Sequence, residues 1–380
     1  MSPQSDHPVD TIIIGAGPAG ASAAFHLARK GRKVVLVERD QPGRNKACGG
    51  GMAASVQRWF PFDLSPIVEQ VIREVRFTWA LEDPVLASLP GEAPFWIVRR
   101  SVLDGFLADR AAEAGATLRF GSEVVSVERR EDGWRVMDGQ GHALQSRSLL
   151  IADGSSSPLA TRLGLGPPRP RFASTLSLEV DCPILEPGVA RFDFGLVPQG
   201  FCWVFPRRQG YSIGVGTFIG GEDLEAEAVL RRLLPSLGLP PDAGQRRPMR
   251  LRIWDGHHSL DGQGVLVAGD AASLCDPFLA EGLRPALMSG CQAAVALDDW
   301  LGGDVQALKG YTAFMRREWG ESMGWGKRIA QVFYRFPRVG YQLGIKRPTA
   351  PQRIAQILSG EMGYGDIAQR VIRRLLFQRG

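Results

Sequence analysis

Three places along this chain bring together residue types that can do chemistry. The first is Gly15-Ala16-Gly17-Pro18-Ala19-Gly20, with Glu38 eighteen residues after Gly20 and Arg39 beside it. At this spacing Gly15 permits a tight turn, Gly17 lets a pyrophosphate approach the backbone, and Gly20 lets a helix pack closely on a strand. An acidic side chain at that distance accepts hydrogen bonds from ribose hydroxyls. The second place is Gly269-Asp270, followed by Glu281-Gly282 at the start of a long apolar segment. A carboxylate there can meet a polyol hydroxyl, and a helix N-terminus can face a group that becomes anionic on reduction. The third is Arg44-Asn45-Lys46-Ala47-Cys48-Gly49-Gly50-Gly51, a thiol followed by glycines. That stretch has almost no side-chain bulk and suits close contact with a planar ring.

The elements that position these groups are legible around them. Thr11 to Ile14 is a β-branched apolar run, the pattern of a buried parallel strand. An alanine-rich stretch from Ala21 to Lys30 predicts a helix stopping at Gly31, and Lys33 to Val37 a second strand closed by Glu38. Strand, glycines, helix, strand and acid in this order predict a nucleotide site. The acid at position 38 favours an unphosphorylated ribose, hence FAD or NAD over NADP. Gly264 to Ala272 predicts another buried strand running into a small-residue turn. Leu283 to Leu301 predicts a helix with Pro285 in its first turn, where the missing N–H costs nothing. Ser101 is placed to cap a helix whose apolar face is Leu103, Phe106, Leu107, Ala111 and Ala114, ending at Gly115. Runs from Glu74 to Leu81, Ser174 to Val180, Ala190 to Leu196, Phe201 to Phe205 and Tyr211 to Phe218 predict an antiparallel sheet.

Composition bounds the rest. With 380 residues, 44% hydrophobic and 22% charged, the chain can bury a substantial core in two or three lobes. Five cysteines at irregular spacing argue against a disulfide framework and for a reducing compartment; without a CxxC or Cys/His cluster no metal is expected. The first ten residues lack a basic-then-apolar leader and no run of about 18 apolar residues is present, so a cytoplasmic protein is expected. Residues 301–380 carry fourteen Lys/Arg against five Asp/Glu, a local excess of +9 within a net charge of +5. That charge reads as a solvated helical face, or as a surface for anionic lipid or an acidic protein, giving peripheral membrane contact. No nucleic-acid motif accompanies it.

The paired GxGxxG and Gly269-Asp270 motifs resemble those of flavoproteins related to aromatic hydroxylases, in which they hold opposite ends of one FAD. Arg99-Arg100-Ser101-Val102-Leu103-Asp104 is similar to that group's arginine-led helix start, which implies Arg100 near the FAD phosphates. Ala152-Asp153-Gly154-Ser155-Ser156-Ser157 resembles its third motif, but Ala160 replaces the arginine usual after the serine. Within this group, Cys48-Gly49-Gly50 resembles the geranylgeranyl reductase family, flavoenzymes that saturate isoprenoid double bonds. Pro198 to Arg207 is similar to that family's PxxYxWxFPK segment, which implies that Trp203 and Phe205 line the prenyl-chain pocket. Phe201 stands for the motif tyrosine, Arg207 for the lysine, and Ala280 where glycine is frequent before Glu281-Gly282. Gly360-Glu361-Met362-Gly363-Tyr364 matches the family's helical tail.

The resemblance implies hydride transfer from reduced flavin to one alkene carbon and a proton to the other. Phe201 carries no proton, so Cys48 or an ordered water is the candidate donor, and Cys48 is the catalytic candidate. No second GxGxxG is present, so electrons would come from NADPH bound transiently or from a protein such as reduced ferredoxin. The alternative is a monooxygenase or halogenase on the same scaffold, against which the Cys-Gly-Gly-Gly loop and Ala160 both count. The expected fold class is α/β. A Rossmann-like FAD domain (1–60, 99–171, 257–305) is joined by an antiparallel substrate domain (61–98, 172–256) and a helical C-terminal region (306–380).

Overall fold

Buried β-branched runs decide where the first sheet forms. In the computed structural model, which describes residues 9–92, 94–156, 158–218, 225–347 and 349–377, the strand Val9–Ile14 lies between Ala143–Ile151 and Val34–Val37, parallel to both. The stretch read at residues 1–8, Ser157 of the third motif and the last three residues lie outside the described residues. Thr117–Arg119 and Val265–Val267 extend the parallel sheet on its two sides. Ile12, Ile13, Leu149, Leu150 and Leu266 have no exposed surface, as strands covered on both faces require. An antiparallel pair, Val124–Arg130 and Gly133–Asp138, continues from the start of Ala143–Ile151.

The helix Pro18–Arg29 covers this sheet between helices Arg100–Glu113 and Leu283–Leu301. Its crossing with Leu283–Leu301 is so close that a Cβ on Gly290 would lie 2.1 Å from the Ala19 carbonyl oxygen. The helix Arg100–Glu113 corrects one expectation. Its cap residue is Arg99, and Ser101 sits inside the first turn without a capping hydrogen bond. What fixes this start is Arg100, buried and paired with Asp104 one turn on.

The second sheet runs in the order Arg247–Ile253, Arg171–Val180, Tyr211–Thr217, Gly200–Pro206, Val189–Phe194, Glu74–Trp79, Glu82–Ser88. Its neighbours are antiparallel except Glu74–Trp79 with Val189–Phe194, which run parallel. A parallel pair needs a long crossover, and here the intervening chain passes through the nucleotide-type sheet. The strand from Glu74 ends at Trp79, because Ala80 and Leu81 (φ 53° and 73°) turn the chain into Glu82–Ser88. Gly200–Pro206 and Tyr211–Thr217 are buried throughout instead of alternating. One face, with Phe201, Trp203 and Phe205, joins the main core. The other, with Cys202, Val204, Ile213 and Val215, forms a smaller core with Leu230 and Leu233 of the helix Ala226–Leu233. A third, small sheet pairs Phe95–Val98 with Gly51–Ala53 and Val68–Ile72.

The C-terminal region is helical, with a π-helical turn at Arg316–Gly320 between Ala307–Met315 and Glu321–Arg335. Phenol and indole donors tie it to the rest: Tyr311 to the Val267 carbonyl (2.9 Å), Trp319 to Leu274 (2.8 Å), Tyr334 to Phe278 (3.1 Å) and Tyr341 to Asp83 (2.7 Å). Among the described residues, no helix is long and apolar enough to cross a membrane.

Candidate functional site

A cavity of about 800 Å³ lies where the two large sheets meet, within the size range of cofactor and ligand pockets. Its lining passes from Gly17, Glu38 and Arg39 through Asp153, Asp270, Gly282 and Cys48 to Phe192, Phe201, Trp203 and Phe205. At the first end, Gly15 (φ 101°) and Gly20 are demanded by the chain's own packing. A Cβ on Gly15 would lie 2.4 Å from the Ala152 oxygen, and one on Gly20 1.9 Å from the Gly15 oxygen. Gly17 differs. What stands over it are arginine tips, Arg44 Nη2 at 3.1 Å and Arg100 Nη2 at 3.8 Å from the missing Cβ. Two cations and the N-terminus of Pro18–Arg29 thus converge on one point, an anion site.

Arg100 holds Asp104 in two parallel bonds of 2.9 and 2.8 Å, and Arg44 reaches the same carboxylate at 3.2 and 3.0 Å. Burial opposes the Arg100 charge, but Asp104 outweighs it and pushes the guanidinium pKa up. Burial likewise opposes the Asp104 charge, and Arg100 and Arg44 hold that carboxyl below its ordinary range. Glu38 is buried and accepts from the N–H groups of Ala16 (2.7 Å) and Asp40 (3.1 Å), with Arg44 at 3.2 Å. A carboxylate has capacity for further donors, so a ribose hydroxyl still finds a partner there. Arg39 lies at the rim, half-exposed beside Asp40.

At mid-cavity Lys46 Nζ is 3.5 Å from Asp270, and burial pulls the lysine pKa down against the pull of Asp270. Gly269 takes φ 63°, and Gly282 caps Leu283–Leu301 with its α-carbon side toward Asp270. The loop before that helix is strained, with Ser273 (φ 57°) and Ala280 (φ 59°) both left-handed. Asp276 beneath it has no exposure and accepts from the N–H groups of Phe278 (2.6 Å) and Leu279 (3.0 Å) and from Tyr364 (2.6 Å). Burial raises the Asp276 and Glu281 carboxyls. Glu281 spends its oxygens on Arg284, at 2.9 and 2.6 Å, so this residue anchors the loop while Gly282 presents backbone.

At the far end the glycine run does lie against planar rings, and the rings are the protein's own. A Cβ on Gly49 would meet Trp203 Nε1 at 3.1 Å and Phe205 at 3.2 Å, and one on Gly51 would meet Phe95 at 2.6 Å. Gly50 (φ 79°) backs onto the Val98 oxygen, 2.1 Å from where its Cβ would be. Trp203 in turn lies flat across Gly214, its cross-strand partner. Phe201 stacks on Phe218 (centroids 4.8 Å apart), and Phe192 meets Phe201 and Phe205 edge-on. Cys48 sits between the two ends, half-buried, its sulfur accepting from the Gly50 N–H at 3.3 Å. Arg207 is buried outside the cavity and bridges Glu179 (2.7 Å) and Glu69 (4.0 Å), tying the second sheet to the small one. Ala160 is fully buried in the short helix Leu159–Arg162.

Sequence reasoning missed Arg44, Lys46, Asp104, Asp276 and Tyr364 as parts of this assembly. The i, i+4 spacing of Arg100 and Asp104 was the one available signal; Arg44 and Lys46 belong to a loop without periodicity. The residues present fit a flavin dinucleotide. The gap over Gly17 can accommodate a pyrophosphate, the Glu38 and Asp270 carboxylates can accept from sugar and polyol hydroxyls, and the Gly282 helix start can face an electron-rich ring edge.

A profile of the family described as FAD dependent oxidoreductase matches residues 10–86 and 95–283 of this chain. Digeranylgeranylglycerophospholipid reductase 2 of Methanothermobacter thermautotrophicus is 30% identical over 300 residues, covering 72% of this chain and 74% of that one. Geranylgeranyl diphosphate reductase of Rhodobacter capsulatus is 29% identical over 308 residues, 76% and 74% of the two chains. A crystal structure of a geranylgeranyl bacteriochlorophyll reductase-like protein from Thermoplasma acidophilum superimposes with a TM-score of 0.79 over 93% of this chain and 92% of that one, at 20% identity.

Proposed function

The chain belongs to the FAD-dependent oxidoreductase family, and we propose that it reduces carbon–carbon double bonds in an isoprenoid chain of the geranylgeranyl type. One observation carries this reading: a single cavity joins an arginine-flanked anion site to a wall of aromatic rings. Two similar proteins named as reductases of geranylgeranyl compounds support it. FAD, once bound and reduced by the electron donor, would supply the hydride.

The chain's own residues do the rest. Arg44, Arg100 and the helix start at Pro18 would hold the pyrophosphate, Glu38 the adenosine ribose, and Asp270 and Asp153 the polyol, while the Gly282 N–H would favour negative charge at the ring edge. Trp203 and Phe205 guide the prenyl chain, and the aromatic wall excludes water from it. Cys48 gives the proton: its S–H bond breaks, the proton joins the second alkene carbon, and water reprotonates the sulfur. Residues 1–60, 99–171 and 257–305 hold the cofactor, 61–98 and 172–256 the substrate, and 306–380 close the site. The electron donor is NADPH or reduced ferredoxin, acting at the flavin itself.

Anaerobic reduction of the FAD-loaded protein with dithionite, followed by geranylgeranyl diphosphate, tests this. Flavin reoxidation with a two-dalton mass gain in the prenyl product is expected. Reoxidation only when oxygen is admitted, with a hydroxylated or, with halide, halogenated product, would instead establish the monooxygenase or halogenase reading.

A further inference from the structure

Between Glu321 and Glu361 the chain carries seven Lys/Arg and no Asp or Glu. Two helices in this span, Glu321–Arg335 and Pro337–Gly344, use their inner faces fully. Phe333, Tyr334 and Tyr341 are buried, and Phe333 packs against Phe194 and Phe278 with ring centroids 5.2 and 5.3 Å apart. Their outer faces expose large apolar side chains among the polar and charged ones that solvated helices carry. Val332 is 70% exposed, Phe336 58%, Val339 55% and Leu343 55%. These four follow one another at steps of four, three and four residues, the spacing of one helical face within each helix. Arg328, Arg335 and Arg338 are exposed around them, with the Arg335 guanidinium 5.8 Å from the Phe336 ring centroid. Lys346 at the far end is held by Asp83 at 2.6 Å.

We propose that this face docks on an anionic phospholipid bilayer. Val332, Phe336, Val339 and Leu343 enter the acyl boundary, and Arg328, Arg335 and Arg338 meet the headgroup phosphates. The argument for lipid is charge complementarity combined with apolar exposure. An acid-free cationic stretch repels a second copy of itself, while a negatively charged surface with an apolar layer beneath satisfies both kinds of side chain at once. The location agrees. Phe333, on the inner side of Glu321–Arg335, packs on Phe194, which meets Phe201 at the apolar end of the cavity, and Leu358 of the helix Ala350–Leu358 lines that cavity. That the cavity takes a prenyl lipid is the reading proposed above; the docking is tested without it.

The experiment is co-sedimentation of the full chain with vesicles of phosphatidylcholine alone or mixed with phosphatidylglycerol, free of prenyl lipid and donor. Binding to the anionic vesicles is expected, weakening as salt rises. Arg335→Ala and Arg338→Ala should each weaken it about fivefold. Phe336→Asp with Leu343→Asp should reduce it to the level of neutral vesicles. Leu185→Asp, at an exposed apolar residue of another segment, should leave it unchanged. Equal binding to neutral and anionic vesicles would overturn the proposal, as would wild-type affinity in either the arginine or the aspartate variants. So would a solution dimer dissociated by Phe336→Asp, which would make the face an interface between copies.

Discussion

Arg44 places one guanidinium against Glu38, Asp104 and the space over Gly17, so it contacts both ends of the anion site while staying partly solvated. Removing it leaves Asp104 paired with Arg100, so the fold keeps its buried pair. Arg44→Ala is therefore expected to weaken FAD binding about tenfold, by the loss of one charge-assisted contact of about 1.5 kcal/mol, with little change in thermal stability. Titration of the apoprotein followed by flavin fluorescence measures this, and unchanged affinity would remove Arg44 from the site. Ala280 makes the opposite case. Its φ of 59° is a conformation glycine adopts without strain, which accounts for glycine being frequent there in the resembling family. Ala280→Gly is expected to stabilise the protein by about 1 kcal/mol, read from denaturant midpoints. No gain would mean that the surrounding hydrogen bonds, and not this residue, set the loop's conformation.

Elements matter where two of them share one side chain. Trp203 on Gly200–Pro206 can lie across Tyr211–Thr217 only because its partner there is Gly214; an added Cβ would sit 2.0 Å from Trp203 Cζ2. Gly214→Ala is expected to cost about 1–3 kcal/mol and to turn the indole into the cavity. Near-UV circular dichroism and prenyl-chain affinity should change together; a change in stability alone would place Trp203 outside the substrate path. Tyr364, on the last helix, donates to the fully buried Asp276 beneath the strained loop. Tyr364→Phe leaves one carboxylate oxygen short of its partner, at a cost of about 1–3 kcal/mol. Because that loop leads into the Gly282 helix start, FAD affinity should fall as well. A variant with lower stability and intact FAD binding would show that the C-terminal helices only cover the site.

For the molecule as a whole, a buried histidine contributes to the acid side of its stability. His26 is packed between Phe25 and Phe60, and burial, aided by Arg29, lowers its pKa from 6.5 to about 4. Between those values the unfolded chain takes up a proton that the folded one refuses. The His26 contribution is thus full above about pH 6.5 and is lost as the pH drops toward 4, by up to about 3 kcal/mol. His26→Phe should flatten urea-derived stability across that window; a slope that survives would assign the loss to other groups, His257 first.

How much was legible follows from the range of the interactions involved. Strand, glycine turn, helix and Glu38 are close in sequence, and their geometry is a backbone property. Gly15, Gly17, Gly20 and the Leu283–Leu301 helix could therefore be read from residue types and spacing. The second sheet was legible as strands, but its one parallel junction depends on where the chain returns after a long excursion, which no local pattern encodes. Arg44, Asp276 and Tyr364 reach their places through contacts between residues far apart in sequence. A lone charge on a loop or a tyrosine on an amphipathic helix carries no periodic signal of its partner. The sequence by itself determined a flavin-type nucleotide site and an aromatic strand beside it. Only the tertiary structure decided that one cavity joins them, because the second sheet must pack against the first before Gly49, Trp203 and Phe205 can share a wall.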